Sequence, residues 1–588
     1  MNPEWLGAYP VYCLAVWVLL SGLDDLLPQL VFFYLLLSGD RGPRPPCGTG
    51  TRQKPIAIFV PLWHEHAVIG HMLEHNLAAI RYAGHHFFVG VYPNDSRTAA
   101  AVLEVEQRFP NVHMAMGPHD GPTSKADCLN WIYQRMLLWE EEQGAHFEAV
   151  VTHDAEDLIH PESLAAINRY LDAYDMVQVP VLPLPTPPGE WTHGLYCDEF
   201  AEFQIKDIPV RQFLGGFIAS NGVGTGFSRK ALEALADRHA NRIFEPVCLT
   251  EDYEAGFRIH ALGRPQVFIP LRHSGPSLVA TREFFPRSFR AAVKQRTRWV
   301  TGIALQGWER HGWRVPLKQS YWLWRDRKGL VGNLLTPVLN LMFLWGLACW
   351  AGAAAGRPWV VRIWEMPGLA PLCGFTLALS ILQLGVRAAC VRRIYGGAFA
   401  VLMPLRAVFG NFLNCISTVL ALWRYFAARL QGRPLVWLKT DHCYPGRAAL
   451  MAHKRPLGEI LAELGLVTRA DLRDVDFRPA GERIGEYLIR AGRLTEERLY
   501  TALSVQQSLP LGKPARVTRP AASSLPAAVA RKWNVLPYQV RAGKLFVAGP
   551  ELPSDEMHED LQRHSNLEVR FQLVTPRDFR ELAEQYPQ

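Results

Sequence analysis

Four long apolar runs constrain the fold of this chain more than any other feature of its sequence. They cover residues 11–37, 329–355, 368–391 and 395–428, and each is near or above the roughly 20 residues that a helix needs to cross a bilayer. Hydrophobic residues make up 49% of the 588 residues and charged residues 20%, and these runs hold the apolar excess. The sequence therefore predicts an integral, multi-pass protein whose first partner is the lipid bilayer.

Basic residues beside the runs predict the orientation in the membrane. They follow the first run and surround the end of the third: Arg41, Arg44, Arg52, Lys54, Arg387, Arg392 and Arg393. Because basic flanks tend to stay on the cytoplasmic side, we expect the two soluble stretches, 55–318 and 441–588, to be cytoplasmic. An even number of crossings must then lie between them.

Polar residues interrupt two of the runs. Arg406, Asn411 and Asn414 lie within 395–428, which favours an interfacial or re-entrant piece over a clean span. Asp24 and Asp25 lie halfway along the first run, where each costs roughly 2.5–3.5 kcal/mol on insertion into lipid. We expect these two carboxylates to face protein, or the run to consist of two short helices.

Composition argues against several other classes of function. The net charge of +7 is concentrated beside the membrane runs, so it gives little support to a nucleic-acid partner, and none is predicted. The ten cysteines contain no CxxC pair, which indicates reduced thiols in a cytoplasm-facing protein. Neither GxGxxG nor GxxxxGK[ST] occurs, so the fingerprints of a dinucleotide fold and of a P-loop ATPase are missing.

Short apolar runs alternate with helical patterns after a Pro/Gly/Arg linker at 39–55. Strands are predicted at 56–63, 85–93 and 147–153, and helices at 66–84 and 98–109: five elements in alternation. This alternation is typical of a parallel sheet, with ligand chemistry at the carboxyl ends of the strands.

Three carboxylates follow the strand that contains Val150 and Val151. In VVTHDAEDLIHP, Asp154 and Glu156 point to the same side of the extended end. Close like charges raise each other's pKa unless a cation lies between them, and hard oxygen ligands suit Mg²⁺ or Mn²⁺. The alternative is a solvated loop in which Glu156 or Asp157 caps the next helix.

Further motifs follow in a fixed order along the chain: PLWHE (61–65), YPNDS (92–96), SKADCLN (124–130), SNGVGTGFSR (220–229), LTEDYE (249–254) and QRTRWVTG (295–302). Together with Asp154-x-Glu156 this set resembles the family-2 glycosyltransferases with a GT-A (Rossmann-like) fold. Within them it resembles the processive, membrane-embedded synthases related to cellulose and hyaluronan synthase. The resemblance covers most of residues 55–305.

That resemblance implies roles for the donor side of the site. Glu65 and Asp95 stand where the family holds the nucleoside, and Lys125 stands where it meets a phosphate oxygen. Asp154 and Glu156 stand where the family holds a divalent cation on the diphosphate. The family usually has a second Asp where this chain has Glu156, which leaves open whether Glu156 or Asp157 completes the metal site.

The resemblance also implies roles for the acceptor side. Asp252, next to Glu251, stands at the position of the general base that deprotonates the acceptor hydroxyl; the alternative is a helix N-cap. Gln295, Arg298 and Trp299 occupy the QxxRW positions, with the arginine facing the diphosphate and the indole forming a platform for the acceptor sugar. Alternatively, this Arg-Trp pair is an interfacial membrane anchor.

The tail contains an internal repeat: residues 457–472 align with residues 484–499 at a spacing of 27. The repeat resembles the N-terminal domain of type II secretion and pilus ATPases, in the MshEN version that binds cyclic di-GMP. This resemblance implies ligand contacts from arginine, close backbone approach at the glycines and leucines against the purine faces. The implied residues are Arg455, Gly458, Leu461, Gly465 and Leu472 in the first copy, and Arg483, Gly485, Leu488, Gly492, Leu499, Leu503 and Gln506 in the second. Because the first copy departs from the pattern around Arg455, a helical docking module without ligand remains the alternative.

Together these assignments describe a multidomain α/β membrane protein. It comprises an N-terminal anchor and linker (1–54), a GT-A glycosyltransferase domain (55–318), transmembrane and interfacial helices (319–440) and an MshEN-like module with helical and small α/β parts (441–588). This order resembles the NfrB-type bacteriophage adsorption proteins, inner-membrane glycosyltransferases of Gram-negative bacteria.

The family resemblance implies an enzyme of the bacterial inner membrane, with the catalytic and C-terminal domains in the cytoplasm. It would polymerise a UDP-N-acetylhexosamine onto a growing glycan acceptor, with inversion, under control of cyclic di-GMP. The product would be a surface or secreted glycan that phage exploit, and an outer-membrane export partner is implied. Two other classes stay open: a catalytically inactive receptor or scaffold, and a secretion-system adaptor.

Overall fold

The structure is a computed structural model that describes residues 8–39, 42–45, 52–239, 241–271, 278–356, 368–433, 435, 457–464, 466–475, 479, 482–507, 509–512, 514, 517–541 and 544–584. The chain divides into two compact units. One consists of residues 1–70 and 81–444, and the other of residues 71–80 and 445–588.

A seven-stranded sheet forms the centre of the first unit, in the order β3-β2-β1-β4-β7-β5-β8. β7 is antiparallel to both neighbours, whereas the other pairs are parallel. β6 and β9 form a separate parallel pair. The strands are β1 Ile56–Pro61, β2 His85–Val91, β3 Val112–Met116, β4 Ala149–Thr152, β5 Met176–Gln178, β6 Val181–Pro183, β7 Thr225–Ser228, β8 Gln266–Phe268 and β9 Thr281–Glu283.

Helices cover this sheet and continue into the apolar segments. Two of them are extended by π-helical segments, Phe203–Asp207 between α6 and α7 and Val300–Gln306 between α10 and α11. The helices are α1 Ala8–Leu37, α2 Ile69–Ala79, α3 Ser96–Glu106, α4 Lys125–Gln143, α5 Ser163–Tyr170, α6 Trp191–Glu202, α7 Ile208–Phe213, α8 Arg229–Arg238, α9 Glu251–Ala261, α10 Phe289–Trp299, α11 Gly307–His311, α12 Leu317–Arg327, α13 Gly329–Ala354, α14 Leu369–Tyr395, α15 Gly397–Val401 and α16 Met403–Leu430.

The alternation of elements predicted from the sequence is confirmed. β1, α2, β2, α3 and β4 occupy the five stretches that the apolar patterns indicated. β1 and β4 are buried along nearly their whole length, as expected for central strands of a sheet covered on both faces. Their carboxyl ends, with that of β2, lie at one edge of the sheet and carry the quoted motifs.

Among the residues that the structure describes, four helices are long and apolar enough to cross a membrane: Tyr9–Leu37, Leu317–Gly352, Leu369–Tyr395 and Met403–Leu430. The first is continuous, and its two aspartates face protein as expected. Asp24 Oδ2 lies 2.9 Å from Arg325 Nη1 and 2.7 Å from Lys328 Nζ, and Asp25 Oδ1 lies 3.0 Å from Arg325 Nη2. These ion pairs compensate the cost of burying the carboxylates.

The segment 395–428, expected to be interfacial or re-entrant, contains a continuous 28-residue helix, α16, whose length and composition would also allow a span. The three polar residues singled out in the sequence all have protein partners. Arg406 forms a buried pair with Asp198, Asn414 accepts from Arg296 and Asn411 donates to Asn340. The sequence could not supply these partners, because each lies at least 71 residues away along the chain.

The second unit contains two helical pairs followed by a small α/β part. The three-stranded sheet has the order β10-β11-β12, with the first pair antiparallel and the second parallel. Its elements are α17 Leu457–Glu463, α18 Arg469–Asp474, α19 Ile484–Arg490, α20 Glu496–Gln507, α21 Arg519–Ala522, α22 Ala527–Lys532, β10 Leu536–Arg541, β11 Lys544–Gly549, α23 Asp555–Arg563, β12 Glu568–Leu573 and α24 Pro576–Glu584.

Candidate functional site

A cleft of about 580 Å³, part of it open to solvent, lies at the carboxyl edge of the large sheet. The loops after β1, β2 and β4, the start of α4 and the end of α10 contribute to its wall. Its polar and aromatic lining includes Trp63, Glu65, Tyr92, Lys125, Asp154 and Arg298. Four of these were predicted from the sequence as site residues: Glu65, Lys125, Asp154 and Arg298.

Lys125 connects the carboxylates of two separate motifs. Its Nζ lies 2.6 Å from Asp154 Oδ1 and 3.9 Å from Glu251 Oε1. Burial would lower the pKa of Lys125, but Asp154 and Glu251 outweigh burial, so its pKa is raised. Ser124 accepts a hydrogen bond from the Asp127 N–H and so fixes the start of α4, which aims the lysine at the cleft. Lys125 is therefore a permanent cation at the centre of the site.

The carboxylates after β4 serve different purposes. Asp157 is wholly buried, and its Oδ2 lies 2.6 Å from His153 Nδ1 and accepts from the Asp154 N–H at 3.1 Å. Burial, with Asp154 and Glu156 nearby, raises the pKa of Asp157 well above its usual range, and burial lowers that of His153 to about 3. Asp157 therefore braces the turn, and it is not among the residues that line the cleft.

Glu156 was expected to point to the same side as Asp154. Its side chain is buried, and it is not among the residues that line the cleft, whereas Asp154 and Ala155 are. Within the described part of the chain, no three His, Cys, Asp or Glu side chains are grouped as metal ligands. Mg²⁺ and Mn²⁺ sites of this kind commonly use one or two carboxylates and take the remaining oxygens from substrate phosphates. Asp154 fits such a site.

The Thr-Glu-Asp motif begins α9, with Thr250 at the N-cap position. Asp252 is thus one residue inside the helix, not its cap, and its Oδ1 accepts from the Tyr253 N–H at 2.7 Å. Burial raises the pKa of Asp252. Burial and then Asp252 raise the pKa of Glu251 to about 7. A carboxylate with a raised pKa is a better proton acceptor near neutral pH.

A glycine is required at the position that faces the Asp252 carboxylate. Gly222 in the SNGVGTG motif has φ +80°, and a Cβ at this position would lie 2.7 Å from Asp252 Oδ2. Gln306 holds the segment that precedes α9. It accepts from the Leu249 N–H and donates to the Val247 carbonyl, each at 3.0 Å. Sequence reasoning missed Gln306, which has no signal beyond its place after QRTRW.

The two arginines of QRTRW point in different directions, because residues two apart on a helix lie on nearly opposite faces. Arg298 lines the cleft. Arg296 is buried, pairs with both carboxylate oxygens of Glu199 at 3.2 and 2.7 Å, and donates to Asn414 at 2.7 Å. The position of Arg298 in the cleft favours the phosphate-facing role over the membrane anchor, whereas Arg296 is a structural residue.

Gln295 and Trp299 lie away from the cleft wall. The Gln295 Oε1 is buried and has no hydrogen-bond partner within the part of the chain that the structure describes. The Trp299 ring packs 5.9 Å from Tyr196 and 6.4 Å from Phe285, centroid to centroid. The indole is thus held in an aromatic cluster, and its role as a sugar platform stays a prediction.

At the predicted nucleoside end of the site, Asp95 forms hydrogen bonds within the protein. Asp95 is buried, caps α3 through the Thr98 N–H, and accepts from the His64 N–H at 2.6 Å. Burial alone would raise the pKa of Asp95, but these hydrogen bonds outweigh burial and its pKa is lowered. Asp95 thus shapes the loop that carries Glu65 and is not among the residues lining the cleft.

Two aromatic residues of the cleft were missed in the sequence. The rings of Trp63 and Tyr92 meet edge to face at 5.3 Å, and both line the cleft. A Cβ at Gly121 would lie 2.5 Å from the Trp63 ring, so a glycine permits this close approach. The signal was present in PLWHE and YPNDS, where Tyr92 directly follows β2 and Trp63 lies two residues after the end of β1.

In the tail, the repeat residues mainly form a core. Leu461 and Leu488 are fully buried, and Leu499 is buried with them in one cluster. A Cβ at Gly458 would lie 3.3 Å from Leu472 Cδ2, and one at Gly485 would lie 2.6 Å from Leu499 Cδ1. The repeat therefore places a glycine against a leucine twice. This gives both glycines a helix-packing role and the buried leucines a structural one, and the ligand contacts that the resemblance implied stay a prediction.

The remaining tail residues are more accessible. Arg483 is exposed at the N-cap position of α19, and Gly492 ends that helix with φ +69°. Leu503 and Gln506 are half-buried on α20. Arg455 and Gly465 lie outside the described residues. Arg483 is thus an accessible cation at the start of the second copy.

Two family models match this chain. Residues 53–302 match a model described as glycosyltransferase like family 2. Residues 509–588 match the model of the MshEN domain. The second match covers the small α/β part of the tail and begins just after the internal repeat.

Curated relatives match almost the whole chain. Bacteriophage adsorption protein B of Escherichia coli (strain K12) is 33% identical over 616 residues, which cover 97% of this chain and 80% of that protein. Bacteriophage N4 adsorption protein B of Escherichia coli O157:H7 gives the same values.

Solved structures match the two parts separately. Mannosyltransferase PcManGT from Pyrobaculum calidifontis, in complex with GDP-Man and Mn²⁺, is 17% identical, with 70% of this chain and 98% of that chain covered and a TM-score of 0.43. The structure of MshE with cdg is 26% identical, with 23% and 99% covered and a TM-score of 0.21.

Proposed function

We propose that this chain, which belongs to the bacteriophage adsorption protein B family, transfers a sugar from a nucleoside diphosphate donor bound in the cleft beside Lys125, Asp154 and Arg298. The observation that carries this proposal is the convergence of two cations and a carboxylate from three separate motifs at one sheet edge. Two cations suit the charge of a diphosphate, which must leave with both phosphates neutralised.

A divalent cation would complete the donor site. Asp154 would hold Mg²⁺ or Mn²⁺ together with diphosphate oxygens, and Glu156 would join it only after turning toward the cleft. Such an ion stabilises the departing diphosphate. Lys125 and Arg298 would hold the remaining phosphate charge, while Trp63 and Tyr92 would provide apolar walls for the nucleoside.

Asp252 would act as the general base. A carboxylate at the start of α9 would take the proton of the acceptor hydroxyl as that oxygen attacks the anomeric carbon and the bond to the diphosphate breaks. A single displacement of this kind inverts the configuration. We propose a UDP-N-acetylhexosamine as donor and a growing glycan as acceptor, with the product forming a surface or secreted polysaccharide that phage can use.

The tail would bind cyclic di-GMP and regulate the transfer. Arg483 is exposed, and arginine forms charge-assisted hydrogen bonds with phosphate oxygens. Ligand binding would raise the rate only if the ligand binds the active form more tightly than the inactive form.

Nucleotide release by the purified full-length protein in detergent tests the proposed activity. We expect UDP release from UDP-N-acetylglucosamine with Mg²⁺ or Mn²⁺, loss of release after chelation, and recovery when metal is restored. UDP-glucose serves as the donor control. No release above that of a protein-free sample, with any donor and metal, would favour the receptor or scaffold alternative.

A further inference from the structure

The helix α16 has two chemically distinct faces. Every exposed residue between Leu405 and Phe426 is apolar, and members of this face follow each other every three or four residues: Leu405, Val408, Phe412, Ile416, Val419 and Trp423. This spacing places them on one side of the helix. An exposed apolar face of this length requires cover, which lipid could supply to either a spanning or a surface helix.

The opposite face contacts catalytic-domain residues near both ends of α16. Close to the first end, the Arg406 guanidinium pairs with both oxygens of Asp198 on α6, at 2.7 and 2.8 Å. Close to the other end, Tyr425 donates to Glu309 on α11 at 3.0 Å, and Arg429 forms an ion pair with the same carboxylate. Both ends of the helix thus lie against the domain that contains the cleft.

The middle of α16 is bound to the same domain. Arg296 donates to Asn414 while paired with Glu199, and the Thr297 hydroxyl donates to the Ser417 carbonyl at 3.3 Å. Arg296 and Thr297 belong to the helix that carries Arg298. The contact therefore links α16 to a wall of the cleft.

These contacts argue against a position of α16 across the bilayer. From Arg406 to Arg429 an α-helix rises about 35 Å, which is more than the roughly 30 Å of the hydrocarbon core. If α16 crossed the bilayer, the Arg296–Glu199 pair would lie near the bilayer centre, where buried charges are costly. A helix parallel to the membrane surface avoids this cost.

The contacts between α16 and α13 are consistent with a position of α16 at the membrane surface. Asn333 and Asn340, which hydrogen-bond to Thr418 and Asn411 of α16, lie in the first half of α13. That half begins next to Lys328, which pairs with Asp24. α16 thus contacts α13 close to a charged cluster, at the end where α13 leaves the catalytic domain.

We propose that α16 does not cross the bilayer but lies in its surface, with the apolar face in the lipid and the polar face holding α10. Both ends of α16 are then on the side of the catalytic domain, and only α13 and α14 cross between that domain and the tail. The lipid surface thereby becomes part of the support of the cleft wall.

Protease sites inserted one at a time into the full-length chain test this position. Suitable places are the exposed turns at Gly396, before α16, and Gly432, after it, with Gly356 between α13 and α14 as an orientation control. Inside-out and right-side-out membrane vesicles are then treated with the protease. We expect the Gly396 and Gly432 sites to be cut from the same side and the Gly356 site from the other.

Cleavage at Gly396 and Gly432 from opposite sides would overturn the proposal. Since an insertion could disturb folding, a second measurement uses the unmodified chain in a lipid nanodisc. Electron microscopy should show α16 along the disc surface. A helix that passes through the disc would contradict the proposal in the same way.

Discussion

The catalytic cleft and the tail repeat are both defined by sequence motifs, but the structure uses the two sets of residues differently. In the cleft, charged residues from distant motifs line one site, Lys125, Asp154 and Arg298, and Glu251 lies 3.9 Å from Lys125. In the repeat, glycines and leucines meet one another in a core. A motif of charged residues thus indicates chemistry more strongly than a motif of small and apolar residues, which packing explains equally well.

The largest expected effect concerns Asp252. Asp252→Asn keeps the size of the side chain but removes its basicity, so we expect transfer to fall by roughly 100-fold or more, the usual scale for a general base. Binding of UDP should be retained. The measurement is UDP release beside a direct nucleotide-binding assay, with Asp237→Asn, an exposed carboxylate on α8, as the matched control. Equal turnover in both variants would remove Asp252 from the mechanism.

A smaller effect separates the two arginines of QRTRW. Arg298→Ala removes a cation from the cleft, and the loss of a charged hydrogen bond, about 1.5–3 kcal/mol, corresponds to a roughly 10- to 100-fold slower transfer. Thermal unfolding should change little. Arg296→Ala should instead destabilise the fold by about 3–5 kcal/mol, because Glu199 loses its buried partner. Similar melting temperatures for the two variants would contradict the division of roles.

The pH dependence of transfer tests the assignment of Asp252, next to Glu251, as the general base. Burial and Asp252 raise the pKa of Glu251 to about 7, and burial raises that of Asp252. A base acts only when deprotonated, so transfer should fall as the pH decreases through the raised pKa of Asp252, approaching roughly tenfold per pH unit below that pKa. In Glu251→Gln the fall should move to lower pH. An unchanged profile would assign the titration to another group.

The smallest effect concerns the tail. Arg483→Ala should weaken binding of cyclic di-GMP to the full-length protein roughly tenfold, because one charge-assisted contact is lost. Arg498→Ala, an exposed arginine of α20, is the matched control. Calorimetry with the wild-type protein provides the reference, and the absence of any heat of binding would leave the tail a docking module.

The sequence predicted three strands of the large sheet and the charged residues that meet in the cleft, since these follow from local apolar patterns and from residue types with few other uses. It predicted Arg298 as the arginine that faces the cleft, but it did not predict the buried role of Arg296, because that role depends on Glu199 and Asn414, 97 and 118 residues away along the chain. The cap that Asp95 forms for α3 was not predicted either, because an N-cap and a ligand-binding carboxylate have the same sequence signature; its role toward the nucleoside stays a prediction.

The most direct measurement of the central claim follows both products of transfer at once. The full-length protein in membranes is supplied with UDP-N-acetylglucosamine labelled in the sugar, and UDP release is compared with label incorporated into a glycan. We predict equal amounts of the two products, both dependent on Mg²⁺ or Mn²⁺ and both lost in Asp252→Asn. Release and incorporation that stay at the level of membranes without the protein would contradict the account.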